Sequence, residues 1–312
     1  MQVGLVILPT DRWSEARHQW EWADDVGFAT AWTYDHIRWG GMPDGPWHAA
    51  IPVLTAAATV TRRIRLGTLV TPATFRRVGT FPAVVTEVDH MSHGRVEVGL
   101  GAGWYQDEHV AYGIPFPGIG ARYDLLEDQL AILHGVWTAP PGSRFERDGL
   151  TCNVRIQADP FRPAQKPHPP IILGGQGGRR GGRLAATYAD EFNVSFVSAS
   201  AMRHVHDSVR KSCEAFGRDP TDLVWSVGQV LCCGRTEEEV ARRARAIDRE
   251  VAELHQNGLA GTPAEILDKL ATFVDAGAQR VYLQVLDLSD LDHLRLVADE
   301  VLPHLPAALG AG

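Results

Sequence analysis

Ile171-Ile172-Leu173-Gly174-Gly175-Gln176-Gly177-Gly178-Arg179-Arg180 is the stretch on which the fold turns. An apolar, β-branched run stops at glycines, and an arginine-led helical segment follows. That is one complete strand–loop–helix unit. Glycines let backbone N–H groups approach an anion, while the helix N-terminus and the arginines add positive potential. Gly174, Gly175, Gly177, Gly178 and Arg179 are therefore candidate phosphate-binding residues. The plain alternative is a turn whose arginines face solvent. No Walker motif is present, because no Gly-Lys-Ser/Thr follows.

The same alternation continues in both directions. Strands are expected at 2–8, 30–35, 65–71, 95–101, 170–174, 191–197, 223–233 and 280–286. Helices are expected at 13–26, 48–61, 80–92, 120–137, 179–189, 199–216 and 236–255, with 263–276 as an extra and 291–305 as the last. Repeated β/α units of this regularity predict an α/β protein, a (β/α)8 TIM barrel forming one domain over 1–312. A doubly wound open sheet accommodates so many regular units less well. Two irregularities stand out. Between 138 and 169, Pro140-Pro141-Gly142 and Pro160-Phe161-Arg162-Pro163 flank a short β-like piece near Cys152–Ile156, which reads as an insertion near the barrel mouth. The helix at 236–276 is doubled, linked through Gly258–Gly261 and capped by Thr262-Pro263.

In such a barrel the loops that follow the strands build the active site. Tyr34-Asp35-His36 ends the second strand, so it puts an acid and an imidazole on the rim. Imidazole is the side chain best suited to proton transfer near neutral pH, which makes His36 the candidate catalytic residue. Asp35 either orients that ring or binds a cofactor amide. A hydrogen-bonded packing histidine is the alternative. Leu66-Gly67-Thr68-Leu69-Val70-Thr71-Pro72 closes the third strand and offers the Thr68 and Thr71 hydroxyls at the rim. Gly99-Leu100-Gly101-Ala102-Gly103-Trp104 closes the fourth. It lacks the third glycine of a dinucleotide fingerprint, so its glycines read as clearance for a flat ring, Gly103 among them. Trp39, Trp47, Trp104 and Tyr105 would wall an apolar pocket. Asp107-Glu108-His109 reads as a helix start and not as a metal site, and His90 and His93 read as helix-end caps away from the rim.

Composition sets the outer limits. The 45% hydrophobic and 22% charged fractions are those of an ordinary globular chain, and a core of this size needs no disulfide or structural metal. A net charge of −8 argues against a nucleic-acid surface. Cys152, Cys213, Cys232 and Cys233 show no CxxC spacing and read as buried thiols. Met1–Leu8 lacks a basic leader and reads as a strand, and no apolar run approaches the roughly 20 residues of a membrane span. The expected compartment is the cytoplasm. Only Lys166, Lys211 and Lys269 are lysines, none of them on the rim, which argues against a Schiff-base aldolase.

Taken in order, several segments resemble the luciferase-like flavin and deazaflavin oxidoreductases, in particular their coenzyme F420-dependent branch. They are Asp35-His36, Arg65-Leu66-Gly67-Thr68, Gly94-Arg95, Gly99 to Tyr105, Arg122 to Glu127, and Gly174 to Arg179. The resemblance implies a barrel with an insertion near its mouth, often a homodimer, acting on a small-molecule substrate. It implies that Asp35 and His36 lie against the deazaflavin and assist proton transfer. Thr68 and Leu69 resemble a bulge held by a non-prolyl cis peptide that supports the ring from behind, and Gly174 to Arg179 resemble the loop that holds its phosphate. One departure matters. The sugar-phosphate dehydrogenases of this group carry a glutamate where Trp104 stands, so the resemblance does not extend to glucose 6-phosphate and favours a less polar substrate. An FMN-dependent monooxygenase on the same barrel is the nearest alternative. A cofactor-binding protein without turnover is the second.

Overall fold

The computed structural model describes residues 1–40 and 45–305. Gly41, read as loop, lies outside the described residues. Parallel strands β1 (Gln2–Val6), β2 (Thr30–Thr33), β3 (Arg65–Thr68), β4 (Val96–Gly101), β5 (Ile171–Gly174), β6 (Glu191–Ser195), β7 (Val224–Cys233) and β8 (Arg280–Gln284) pair in chain order. Pairing of β8 with β1 closes the barrel. Helices α1 (Trp13–Val26), α2 (Ala50–Val60), α3 (Phe81–Met91), α4 (Gln106–Ala111), α5 (Ile119–Thr138), α6 (Arg179–Tyr188), α7 (Ala199–Ala215), α8 (Glu237–Ala246), α9 (Val251–Asn257), α10 (Pro263–Asp275) and α11 (Leu291–Glu300) accompany the strands. No helix among the described residues is long and apolar enough to cross a membrane.

Strand alternation divides the core in two. Outward residues such as Val3, Leu5, Val98, Leu173, Phe192 and Leu283 bury themselves under the helices. Inside, the indole of Trp32 meets the phenol ring of Tyr282 at 5.0 Å, and both residues are fully buried. The facing positions are glycine because nothing larger fits. A Cβ on Gly67 would stand 2.4 Å from Trp32, and one on Gly4 would stand 2.8 Å from Tyr282. Removing Trp32 would cost about 3–5 kcal/mol on the pattern of large-to-small core substitutions. The N-terminal end of the barrel is closed by charge instead. Arg280 reaches Glu97 at 3.1 Å and Glu191 at 2.8 Å, and Arg65 also pairs with Glu97. Burial pushes the Glu191 carboxyl up, against the pull of Arg280.

The irregular segments depart from expectation in three places. The expected helix 236–255 is broken. Asp248 takes a left-handed φ of 52°, and the N–H groups of Asp248 and Arg249 bond back to Arg245 and Ala244, a Schellman-type ending. Gly258–Gly261, expected as a linker, contains the short strand Leu259–Gly261, which pairs with the upper part of β7. The 138–169 insertion is a hairpin of Arg144–Asp148 and Asn153–Gln157 followed by a return arm. It packs on the flank of α5 and reaches the loop before α3, where Val154 lies 3.6 Å from the Cβ position of Gly79. Asp128 of α5 accepts from Leu150, Thr151 and Arg147, and Gln165 bonds Asp89 and the Val96 carbonyl at the N-terminal side of β4. Thr262 and Glu265 form the capping box of α10, with Pro263 in its first turn. Cys213, Cys232 and Cys233 are buried, Cys152 is half-buried, and all are free thiols.

His206 and His293 are buried, and burial pushes both down to about 4. His293 accepts the Cys233 N–H through Nε2 at 2.9 Å, a bond that only the neutral ring can make. Protons therefore bind preferentially to the unfolded chain. The stability carried by these rings is complete above the unfolded pKa of roughly 6.5 and is lost as pH falls towards 4. Urea denaturation from pH 7.5 to 4.5 should show little change above about pH 6.5 and, below it, a loss of about 1.4 kcal/mol per pH unit for each histidine. His293→Gln should flatten the slope by about one proton, and an unchanged slope would contradict the assignment.

Candidate active site

Strand β2 delivers Asp35 and His36 side by side, and the structure sends them to different partners. Asp35 is buried. Its carboxylate accepts from Arg76 at 2.6 and 2.7 Å and from the Thr71 hydroxyl at 2.8 Å, and the Thr71 and Thr68 hydroxyls are 2.9 Å apart. Asp35 therefore does not orient His36. Both threonine hydroxyls are consumed within this network, so neither is offered at the rim.

The ring is oriented by Glu108, a fully buried residue on α4. His36 Nδ1 lies 2.9 and 3.1 Å from its two carboxylate oxygens, and the Ile37 N–H donates to it at 3.1 Å. An ionised carboxylate only accepts, so Nδ1 carries the proton and Nε2 is left as the acceptor. Nε2 has no protein partner among the described residues. The ring is mostly buried, with 12% of its side chain exposed. Tyr34, Trp47, Trp104 and Tyr105 surround it edge-on, with centroids 6.2, 6.2, 5.9 and 6.3 Å away. Trp39 lies 6.1 Å from Trp47, so the structure brings together all four aromatic residues expected in the pocket. The Trp47 Nε1–H is buried without a partner among the described residues. Burial pushes the Tyr34 phenol up, which keeps it neutral.

Glu108 and Arg76 are the two site residues that sequence reasoning missed. The carboxylate of Glu108 was visible within Asp107-Glu108-His109, at a helix start just after β4, but its partner lies 72 residues away. His109, read with it, turns elsewhere: Nε2 meets Thr74 at 2.7 Å and Nδ1 meets the Tyr105 carbonyl at 2.7 Å. Nothing in Thr74-Phe75-Arg76-Arg77 distinguishes Arg76 from its neighbour.

Below the rim, β3 stops at Thr68 and resumes as Thr71–Pro72 against β4. Between them the Leu69–Val70 peptide bond is cis. Leu69 packs inward with Trp32, Tyr34 and Ile172. The glycines of β4 clear space for this bulge and not for a ring. A Cβ on Gly99 would fall 1.8 Å from the Thr68 carbonyl, and Cβ atoms on Gly101 and Gly174 would fall 2.9 and 3.1 Å from Val70. Gly103 turns the chain at φ 80°, against Pro72 and Thr74.

The loop after β5 divides its glycines by task. Gly177 is packed, with φ 65° and a Cβ position 2.9 Å from Val205. Gly175 and Gly178 open onto free space, and Gly178 precedes the first turn of α6, whose N–H groups have no intrahelical partner. Arg180 is held by Asp124 at 2.7 Å and by Glu127 at 3.3 Å, and Arg183 also pairs with Glu127, clasping α6 to α5. Arg179 is exposed and has no ion pair among the described residues. Backbone donors, open glycines and one free cation are what an anionic group requires.

Residues 1–258 match the sequence model of the luciferase-like monooxygenase family. The chain belongs to that family. An F420-dependent glucose-6-phosphate dehydrogenase of Nakamurella multipartita is 24% identical over 322 residues, covering 93% of this chain and 92% of that protein. Among solved structures, an F420-dependent secondary alcohol dehydrogenase in complex with an F420–acetone adduct superposes with TM-score 0.84 at 18% identity, over 98% of this chain and 99% of that one. The oxygenating constituent of 3,6-diketocamphane monooxygenase from Pseudomonas putida, in complex with FMN, superposes with TM-score 0.79 at 18% identity, over 98% and 99%. This luciferase-like barrel is thus similar to F420-binding and FMN-binding proteins alike. No group of three or more His, Cys, Asp or Glu among its described residues could hold a metal ion.

Arg76→Ala would strip the buried Asp35 of its cation while Thr71 remained. Removing one partner of a buried pair costs about 3–5 kcal/mol, and the low end applies because Arg76 is about a third exposed. Urea denaturation at neutral pH should show a loss of about 3 kcal/mol. A loss below about 1 kcal/mol would mean that the pair behaves as a surface ion pair.

Proposed function

We propose that this luciferase-like protein is a coenzyme F420-dependent oxidoreductase acting on a fairly apolar, small organic molecule. The observation that carries the reading is His36, fixed in one tautomer by buried Glu108, enclosed by aromatic rings, and on the same rim as the Gly174–Arg179 loop. The full-length similarity to an F420-dependent dehydrogenase supports it. The residues present fit such a group. Gly175, Gly178, the first turn of α6 and Arg179 would hold its phosphate, while Leu69 and Val70 would back its ring system and Asp35, Thr68 and Gly103 would shape the pocket behind them. When bound, the deazaflavin supplies the hydride chemistry. His36 would accept or donate the accompanying proton at Nε2, with Glu108 stabilising the imidazolium through Nδ1. The aromatic wall would favour substrates less polar than a sugar phosphate. The same reading makes the working unit a cytoplasmic homodimer.

A second reading follows from the FMN-bound neighbour on the same barrel. There the protein would be an FMN-dependent monooxygenase. Fluorescence titration with F420 and with FMN separates the two, and tight FMN binding with no F420 affinity would overturn our choice.

His36→Ala should lower turnover by about 10²–10⁴-fold while changing the cofactor Kd only a few-fold. Glu108→Gln should lower kcat less and move whichever limb of the pH profile reports His36 to lower pH, because the imidazolium loses its anion. Near-normal turnover in His36→Ala would remove the catalytic role. An unmoved pH profile in Glu108→Gln would remove the positioning role.

A further inference from the structure

We propose that Phe196 is a specificity-determining residue, the wall facing the His36 box, and that the site between them takes a planar, uncharged, conjugated substrate. The reading takes the mouth as the substrate site, as proposed above. It starts from backbone geometry. The non-glycine residues with positive φ among the described residues are His93, Phe196 and Asp248. Histidine and aspartate tolerate the left-handed region comparatively well, and both lie at helix ends. A bulky aromatic residue there is an outlier, and such outliers collect at functional sites.

The placement of Phe196 is specific. Along β6, Phe192 and Val194 point outward and are buried beneath the helices. Continued alternation would bury residue 196 in the same layer. Instead, φ 58° breaks the alternation, and Phe196 is 48% exposed at the C-terminal edge of the barrel. Its N–H is fixed to the Gly228 carbonyl of β7 at 2.8 Å, so the turn is anchored. The sequence offers a cheaper solution, since glycine would take this φ without strain and would expose no ring. Neither burial nor a cap explains the aromatic side chain.

Strand order supplies the rest. In the closed barrel β6 lies opposite β2, so Phe196 stands across the mouth from His36. On the β2 and β4 side, Trp104 is 68% exposed, stacked on Tyr105 at 5.1 Å and edge-on to His36. Exposed aromatic rings at two separate stations of one mouth suit a flat π-system, for which stacking adds to area burial.

Isothermal titration of the cofactor-loaded protein with menadione, a planar quinone, and with cyclohexanol, a non-planar apolar alcohol, tests this. Whichever of F420 or FMN binds is used for loading, so failure of the cofactor assignment is scored separately. Wild type should bind menadione at least tenfold more tightly than cyclohexanol. Phe196→Gly should weaken menadione at least tenfold, leave cyclohexanol and the cofactor within twofold, and hold or raise Tm, since glycine relieves the backbone. Phe196→Tyr should keep menadione within threefold. The proposal is overturned if Phe196→Gly leaves menadione within twofold, lowers Tm by more than 5 °C, or weakens the cofactor as much as menadione. It is equally overturned if wild type shows no preference for the planar probe.

Discussion

Closing eight parallel strands leaves an interior of fixed girth, and everything above it depends on how that interior is filled. Here Trp32 and Tyr282 occupy the middle, which forces glycine at Gly4 and Gly67. The same economy of space operates one layer higher. The Leu69–Val70 bulge fits only because Gly99, Gly101 and Gly174 on neighbouring strands lack side chains. The floor of the site is therefore set by backbone clearance across three strands and not by the residues that touch a ligand.

On that floor the chain separates two electrostatic tasks. Asp35 and Arg76 neutralise each other in a buried pair that braces the end of β2 against the segment after β3. His36 and Glu108 form a second pair, in which burial of the carboxylate and its bond to the Ile37 N–H fix the ring. Neighbours in sequence thus belong to independent networks. Were Asp35 the partner of His36 instead, the ring would lie beside a carboxylate already committed to a guanidinium, which could stabilise an imidazolium only weakly.

Most of the barrel could be read from periodicity, because a strand buried on both faces and an amphipathic helix leave different patterns over short windows. Strand β5 and helix α6 fall within a residue of expectation for that reason. The site was less legible. His36 and the aromatic cluster announce themselves by residue type, but Glu108 looked like an ordinary first-turn acid, and Arg76 looked like its neighbour. Their roles come from contacts 72 and 41 residues apart. The β4 glycines show the opposite failure: the signal was visible and its occupant misread, since a bulge and a ligand demand the same clearance. Of the hairpin at 144–157 only the second strand was legible, near Cys152–Ile156; its first strand and its anchor escaped because Asp128 lies on a helix whose own pattern was complete without it.

The position of Glu108 has an evolutionary consequence. The carboxylate that holds the His36 imidazole rides on α4, four residues beyond Trp104, and does not belong to the segment that supplies the Trp104 and Tyr105 rings. On the proposed function, residues 104 and 105 can therefore change under selection while the His36–Glu108 pair stays intact. A barrel wired this way can vary the rings around its imidazole without loosening the carboxylate that holds it.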